Sequence, residues 1–256
     1  MLENILNEPY ELIEIDKETN EIKNEIYIYP IIIKDYFKFQ ILTRLLYVSK
    51  GNFSETEIPL LDLIVFHLID VELTDEQNII NRNDRIKELE QVFSIIIRKE
   101  IHFYEDKTHY QFISDDKKSI IHNLNYNEIR TIIMNQNLMF EPKIYKNKLV
   151  QEWADSTLNA KMKNQPKIGM EEMLSTISVK TGKHYWDLKE YSIYQIYSDF
   201  YRLRKDKNYD TSYAMKLQGV DISIEDFAEC LDLYKNPYDS VFVDDGKLDQ
   251  IKNVCK

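Results

Sequence analysis

Met173 to Gly219, MLSTISVKTGKHYWDLKEYSIYQIYSDFYRLRKDKNYDTSYAMKLQG, decides how this chain is read. Gly182 and Gly219 stand where helices stop, because glycine takes the left-handed backbone of a closing turn without steric cost. The stretch therefore predicts a helix over Met170 to Thr181, a short second helix, and a long aromatic-rich helix from Ser192 to Gln218. On the long helix, Ile193, Ile196, Phe200 and Leu203 share one face, and Tyr194, Tyr197 and Tyr201 share another. The first set is expected to face the core. The tyrosine face is then partly exposed, and tyrosine beside arginine is what protein interfaces favour. Tyr194, Tyr197 and Tyr201 are thus the candidate protein-binding residues. The alternative is that both faces pack against neighbours inside one domain.

Upstream, Tyr10 to Ile15 and Glu25 to Tyr29 read as a β-hairpin around the polar turn Asp16 to Asn20, ended by Pro30, which has no N–H to give a ladder. Helical spacing predicts Asp35 to Lys50 with Gly51 as its stop, an all-round apolar core helix over Glu57 to Asp70 with Pro59 in its first turn, and Asn83 to Glu100. Thr74 with Gln77 reads as the capping box of a short helix. Ile101 to Tyr104 and Tyr110 to Ile113 form a second hairpin. Asn125 with Glu128 forms a capping box for Tyr126 to Asn137. Ile144 to Lys163 reads as a polar helix, and Asn164-Gln165-Pro166 with Gly169 as a hinge. Ser223 with Asp226 caps a last helix, Ile224 to Tyr234, and Phe242 to Lys256 is a tail with at most one more helical turn.

The expected fold is mainly α with a minor β part: helical, bundle-like subdomains carrying two small β-hairpins. The expected division is an N-terminal α+β subdomain over 1–142 (hairpins near 10–29 and 101–113), a helical linker and hinge over 143–169, and a C-terminal helical subdomain over 170–256.

Composition narrows the function further. The chain has 256 residues, 43% of them hydrophobic and 30% charged, so it can bury a substantial core and is not a disordered segment. Five glycines and six prolines favour long regular elements over glycine-rich phosphate loops. The net charge of −11 repels phosphate backbones, which excludes nucleic acid as a default partner. Arg202-Leu203-Arg204-Lys205-Asp206-Lys207 is short and interrupted by acid, so it reads as a solvated helix face. No apolar run approaches the roughly 20 residues of a membrane span. The N-terminal MLENILNEPYELIEID has no signal-peptide pattern. A soluble cytosolic chain is expected.

Catalytic and metal signatures are missing at the level of sequence. His67, His102, His109, His122 and His184 show no HxxxH, HExxH or HxH spacing. His102 and His109 would face each other across the second hairpin, with Asp106 between them, which is half a site. Asp115-Asp116, Glu171-Glu172 and Asp244-Asp245 sit in polar runs with nothing to drive paired carboxylates apart in pKa. Cys230, in Phe227-Ala228-Glu229-Cys230-Leu231, reads as a small buried hydrophobe, and Cys255 lies near the C-terminus. No GxSxG, GxGxxG, P-loop or kinase signature occurs. The expectation is a non-enzyme, with no residue assigned to catalysis, a metal or a cofactor.

The helix ending in "TG", the "W-x-L" turn, "SIYQIYSDFYRLR" and "KLQG" together resemble the C-terminal region of tail-assembly chaperones and related small tail-morphogenesis proteins of phages from low-GC Gram-positive bacteria. "IYIYPIIIKDYFKF", "LLDLIVFHL" and "NYNEIRTIIMNQN" look like the same group, in the same order along the chain. The resemblance implies a largely helical protein of the host cytoplasm, without catalysis. It would hold hydrophobic segments of the tape-measure protein or promote assembly with other tail subunits, self-association being a further mode. The alternative it implies is a structural component of the tail or baseplate that stays in the virion.

Overall fold

The computed structural model describes all residues except 1, 54–56, 67–75, 107–108, 142, 164–167 and 237–256. Its order is α1 (Leu2–Leu6), β1 (Tyr10–Ile15), β2 (Ile22–Ile28), α2 (Ile33–Leu42), α3 (Leu60–Ile64), α4 (Glu76–Ile97), β3 (Ile101–Asp106), β4 (His109–Ser114), β5 (Ile120–Ile121), α5 (Tyr126–Gln136), α6 (Lys148–Lys163), α7 (Met170–Thr181), α8 (Tyr185–Leu188) and α9 (Ile193–Leu217). The fold is mainly α, with an antiparallel β1–β2 pair and an antiparallel three-stranded sheet ordered β3-β4-β5.

In the first hairpin Asp16 Oδ1 accepts from the N–H groups of Glu18 and Thr19, at 2.8 and 3.2 Å, which fixes the turn. Ile26 and Ile28 alternate inward along β2 and are fully buried. Asn24, also buried, carries this hairpin onto the second sheet: its amide donates to Ile120 O at 2.7 Å and its Oδ1 accepts from Ile120 N at 2.8 Å. α3 and α4 supply the centre of the core through Leu60, Leu61, Ile64, Leu89, Val92, Phe93 and Ile96. Phe93 meets Phe112 of β4 edge to face, with centroids 5.0 Å apart.

Beyond β2, Pro30 halts pairing, and the backbone around it is satisfied from elsewhere. Gln136 Nε2 donates to Ile28 O at 3.0 Å, and Ile31 N donates to Asn137 Oδ1 at 3.0 Å. Ile193 N donates to Ile31 O at 3.1 Å, Ile33 N to Tyr191 O at 2.9 Å and Lys34 N to Lys189 O at 3.0 Å. Ile32 and Ser192 thus form an antiparallel bridge between the early chain and the start of α9. Ile31, Ile33, Met173, Ile177, Ile193, Ile196 and Phe200 join the same hydrophobic cluster as the central helices.

Several sequence expectations are corrected. The helix expected to reach Lys50 ends at Leu42 and tightens into 3-10 turns at Thr43–Tyr47 and Lys50–Asn52. Thr43 Oγ1 turns back to Gln40 O at 3.0 Å, a side-chain alternative to helix continuation. Asn125 does not cap α5 with its side chain: its Oδ1 accepts from His122 N and its amide donates to Glu14 and Ile120 O. The helix expected over Ile224 to Tyr234 is an irregular strap. Asp226 and Asp232 accept from the N–H of Ala228 and Tyr234, and Arg202 takes the carbonyls of Phe227 and Glu229 that a helix would have used. Cys230 on this strap is consequently exposed, not a buried hydrophobe. Thr74, the Asn164-Gln165-Pro166 part of the expected hinge and the tail over 242–256 lie outside the described residues, and Gly169 is the residue before α7.

Candidate functional site

α9 is positioned by both its ends. Ser192 Oγ accepts from Gln195 N at 3.2 Å while Gln195 Oε1 accepts from Ser192 N at 2.8 Å, a reciprocal cap that satisfies two otherwise orphaned donors. Gly219 closes the far end at φ +87°. Ile193, Ile196 and Phe200 are buried and Leu203 is half-buried, which sets the rotation of the helix.

The three candidate tyrosines then diverge. Tyr194 is 4% exposed and stacks on Tyr234 of the strap, with centroids 5.7 Å apart. Tyr234 in turn is hydrogen-bonded to Asn4 of α1. Tyr197 and Tyr201 are half-buried, pack on the core by one flank, and lie near each other with centroids 6.2 Å apart.

These two line an aromatic groove made of adjoining depressions. The smaller, about 150 Å³, lies among Tyr36, Tyr47, Leu138, Met139, Ile193 and Tyr197. The larger, about 350 Å³, lies among Leu138, Phe140, Tyr197, Tyr201, Leu231 and Leu233, with Asp232 and Lys235 as polar wall. Leu138, at φ +52° where α5 gives way to the next segment, lines both, as does Tyr197. Burial, and next the neighbouring Tyr36, push the Tyr197 phenol above its ordinary pKa. Arg204 extends the aromatic surface, its guanidinium 5.7 Å from the Tyr201 ring centroid. Tyr36 and Tyr47 have no counterpart among the sequence candidates. They come from the N-terminal part of the chain, and their own spacing carries no signal of α9.

The strap forms the outer wall. Lys205 pairs with Glu229 at 3.3 Å, and Tyr209 meets Phe227 edge to face at 5.7 Å. The strand register does not set His102 across from His109. The register sets His102 opposite Ile113 and His109 opposite Asp106.

Residues 161–232, which take in α7 to α9 and most of the strap, match the family model described as YomV second domain. Over 123 residues the chain is 26% identical to the SPbeta prophage-derived uncharacterized protein YomV of Bacillus subtilis (strain 168), covering 48% of this chain and 52% of that protein. The chain thus spans about half the length of the curated relative it matches. No solved structure matches it. These similarities relate the chain to a protein of phage origin. Among the described residues no helix is long and apolar enough to cross a membrane.

Proposed function

We propose that this chain is a non-catalytic phage tail-assembly chaperone that holds an apolar segment of the tape-measure protein, or of another tail subunit, in the groove between α5, α9 and the strap. The observation that carries the reading is the groove itself: four tyrosines with leucines between them, open to solvent, on a chain similar to a prophage protein. Aromatic side chains bury large area at low entropic cost and keep a polar tip for water. Such a surface suits a partner segment that must be held and later released.

The test is a pull-down of a co-expressed tape-measure fragment with Tyr197→Ala and Tyr201→Ala, beside Tyr194→Ala. The groove variants should lose capture per folded molecule, with a smaller fall in melting temperature than Tyr194→Ala, since a central aromatic anchor is worth on the order of 2 kcal/mol or more in binding. Tyr194→Ala should lose stability, and its capture per folded molecule should stay unchanged. Undiminished capture by both groove variants would refute the assignment. Stoichiometric copies in purified virions, found by mass spectrometry, would instead make the protein a lasting part of the tail or baseplate.

A further inference from the structure

We propose that Glu100, His102 and Asp115 form a binding site for a first-row divalent transition-metal ion of the Zn²⁺ type. The site lies at the end of the β3–β4 pair where the chain arrives from α4. Register puts the three residues together. Ile101 pairs with Ser114, and Asp115 N donates to Glu100 O at 3.2 Å, continuing the pairing one step beyond the strand. Glu100 and His102, two residues apart on an extended chain, project to the same face, and Asp115 stands across from Glu100. The outcome is a ligand atom from each of the three within 4.8 Å of one another, with His102 Nε2 and Asp115 Oδ1 at 3.0 Å.

The donor set selects the class of ion. One imidazole nitrogen with two carboxylates suits Zn²⁺, Co²⁺ or Ni²⁺, whereas Ca²⁺ and Mg²⁺ call for oxygen ligands alone. Bonds of about 2.1 Å around a tetrahedral ion put donor atoms about 3.4 Å apart. The present spread closes to that by rotamer changes in exposed side chains, and water completes the shell.

The charged residues next in sequence, Lys99 and Asp116, are engaged elsewhere. Lys99 is held by Asp116 at 2.9 Å and by Ser119 Oγ at 3.2 Å. Asp116 is itself committed to the Ser114 hydroxyl at 2.6 Å and to Lys118 N at 3.1 Å. Of the adjacent acids, then, Asp116 builds the turn and Asp115 serves the site. The backbone beneath is fixed as well: Ile101 N donates to Ser94 Oγ at 3.0 Å and Phe103 N to Glu90 Oε1 at 2.7 Å. A bound ion would cross-link the exit of α4 to the turn after β4.

Tag-free protein titrated with ZnCl₂ should show one saturable equivalent per chain by calorimetry and a melting temperature that rises with the ion. CoCl₂ should give a visible d–d spectrum that ZnCl₂ displaces. His102→Ala and the double variant Glu100→Gln/Asp115→Asn alter only exposed side chains. Each should keep the native far-UV circular dichroism while its metal affinity falls by about tenfold or more. Absence of saturable binding up to about 1 mM ion, or binding undiminished in His102→Ala, would overturn the proposal.

Discussion

At the scale of single residues, polar side chains in this protein mostly complete the backbone. Asn24, Gln136 and Asn137 each stand in for a missing strand or helix partner, and each would leave a buried donor or acceptor bare if removed. Asp116 does the same for the turn after β4. The Ser114 hydroxyl, then Lys99, hold its carboxyl down from the ordinary 3.8 to about 2. A depressed carboxylate contributes stability that is present above its unfolded value and lost as pH falls through the folded one. Acid titration of stability should therefore show a component between pH 3.8 and about 2 that is missing in Asp116→Asn. Denaturant melts at stepped pH will read it, and identical acid limbs for the two proteins would refute the role.

Elements of the C-terminal part were legible in the sequence where glycine punctuates them, whereas Gly51 did not mark the end of α2, which stops at Leu42. α7 falls on its expected span, α9 lies one residue inside its expected ends, and Gly182 closes α7 at φ +73°. Both hairpins form, and the core face of α4 is the one its periodicity gives. The misses have physical causes. β5 is two residues long and shows no period. The strap has helical spacing, but Arg202, two dozen residues earlier, captures its carbonyls. Tyr194 is buried because Tyr234 lies over it, a contact between residues 40 apart that no local pattern reports. Of the groove, α9's share was readable and the contributions of Tyr36 and Tyr47 were not. α9 starts at the reciprocal Ser192–Gln195 cap. Ser192→Ala should cost about 1 kcal/mol, seen as a lower urea midpoint with an unchanged slope. An unchanged midpoint would mean that the Ile32–Ser192 bridge alone sets the start of the helix.

Across the whole molecule, the join around Pro30 ties early and late chain together. The C-terminal elements supply partners to Ile31 O, Ile33 N and Lys34 N and lay Ile193 and Ile196 on the shared core. A fragment stopping at residue 142 should therefore bind a hydrophobic dye and melt below the full chain. A dye-silent fragment melting at the same temperature would show the N-terminal part to be self-sufficient. The same join has a consequence for synthesis. Ile31 must wait for Ile193, about 160 residues downstream, and at roughly 5–20 residues per second a ribosome needs about 8–30 s to cover that distance. During that interval the nascent chain displays Ile31 and Ile33 with unanswered carbonyl and amide groups beside them. A protein that we propose shields the apolar segments of others is itself in need of shielding while it is being made.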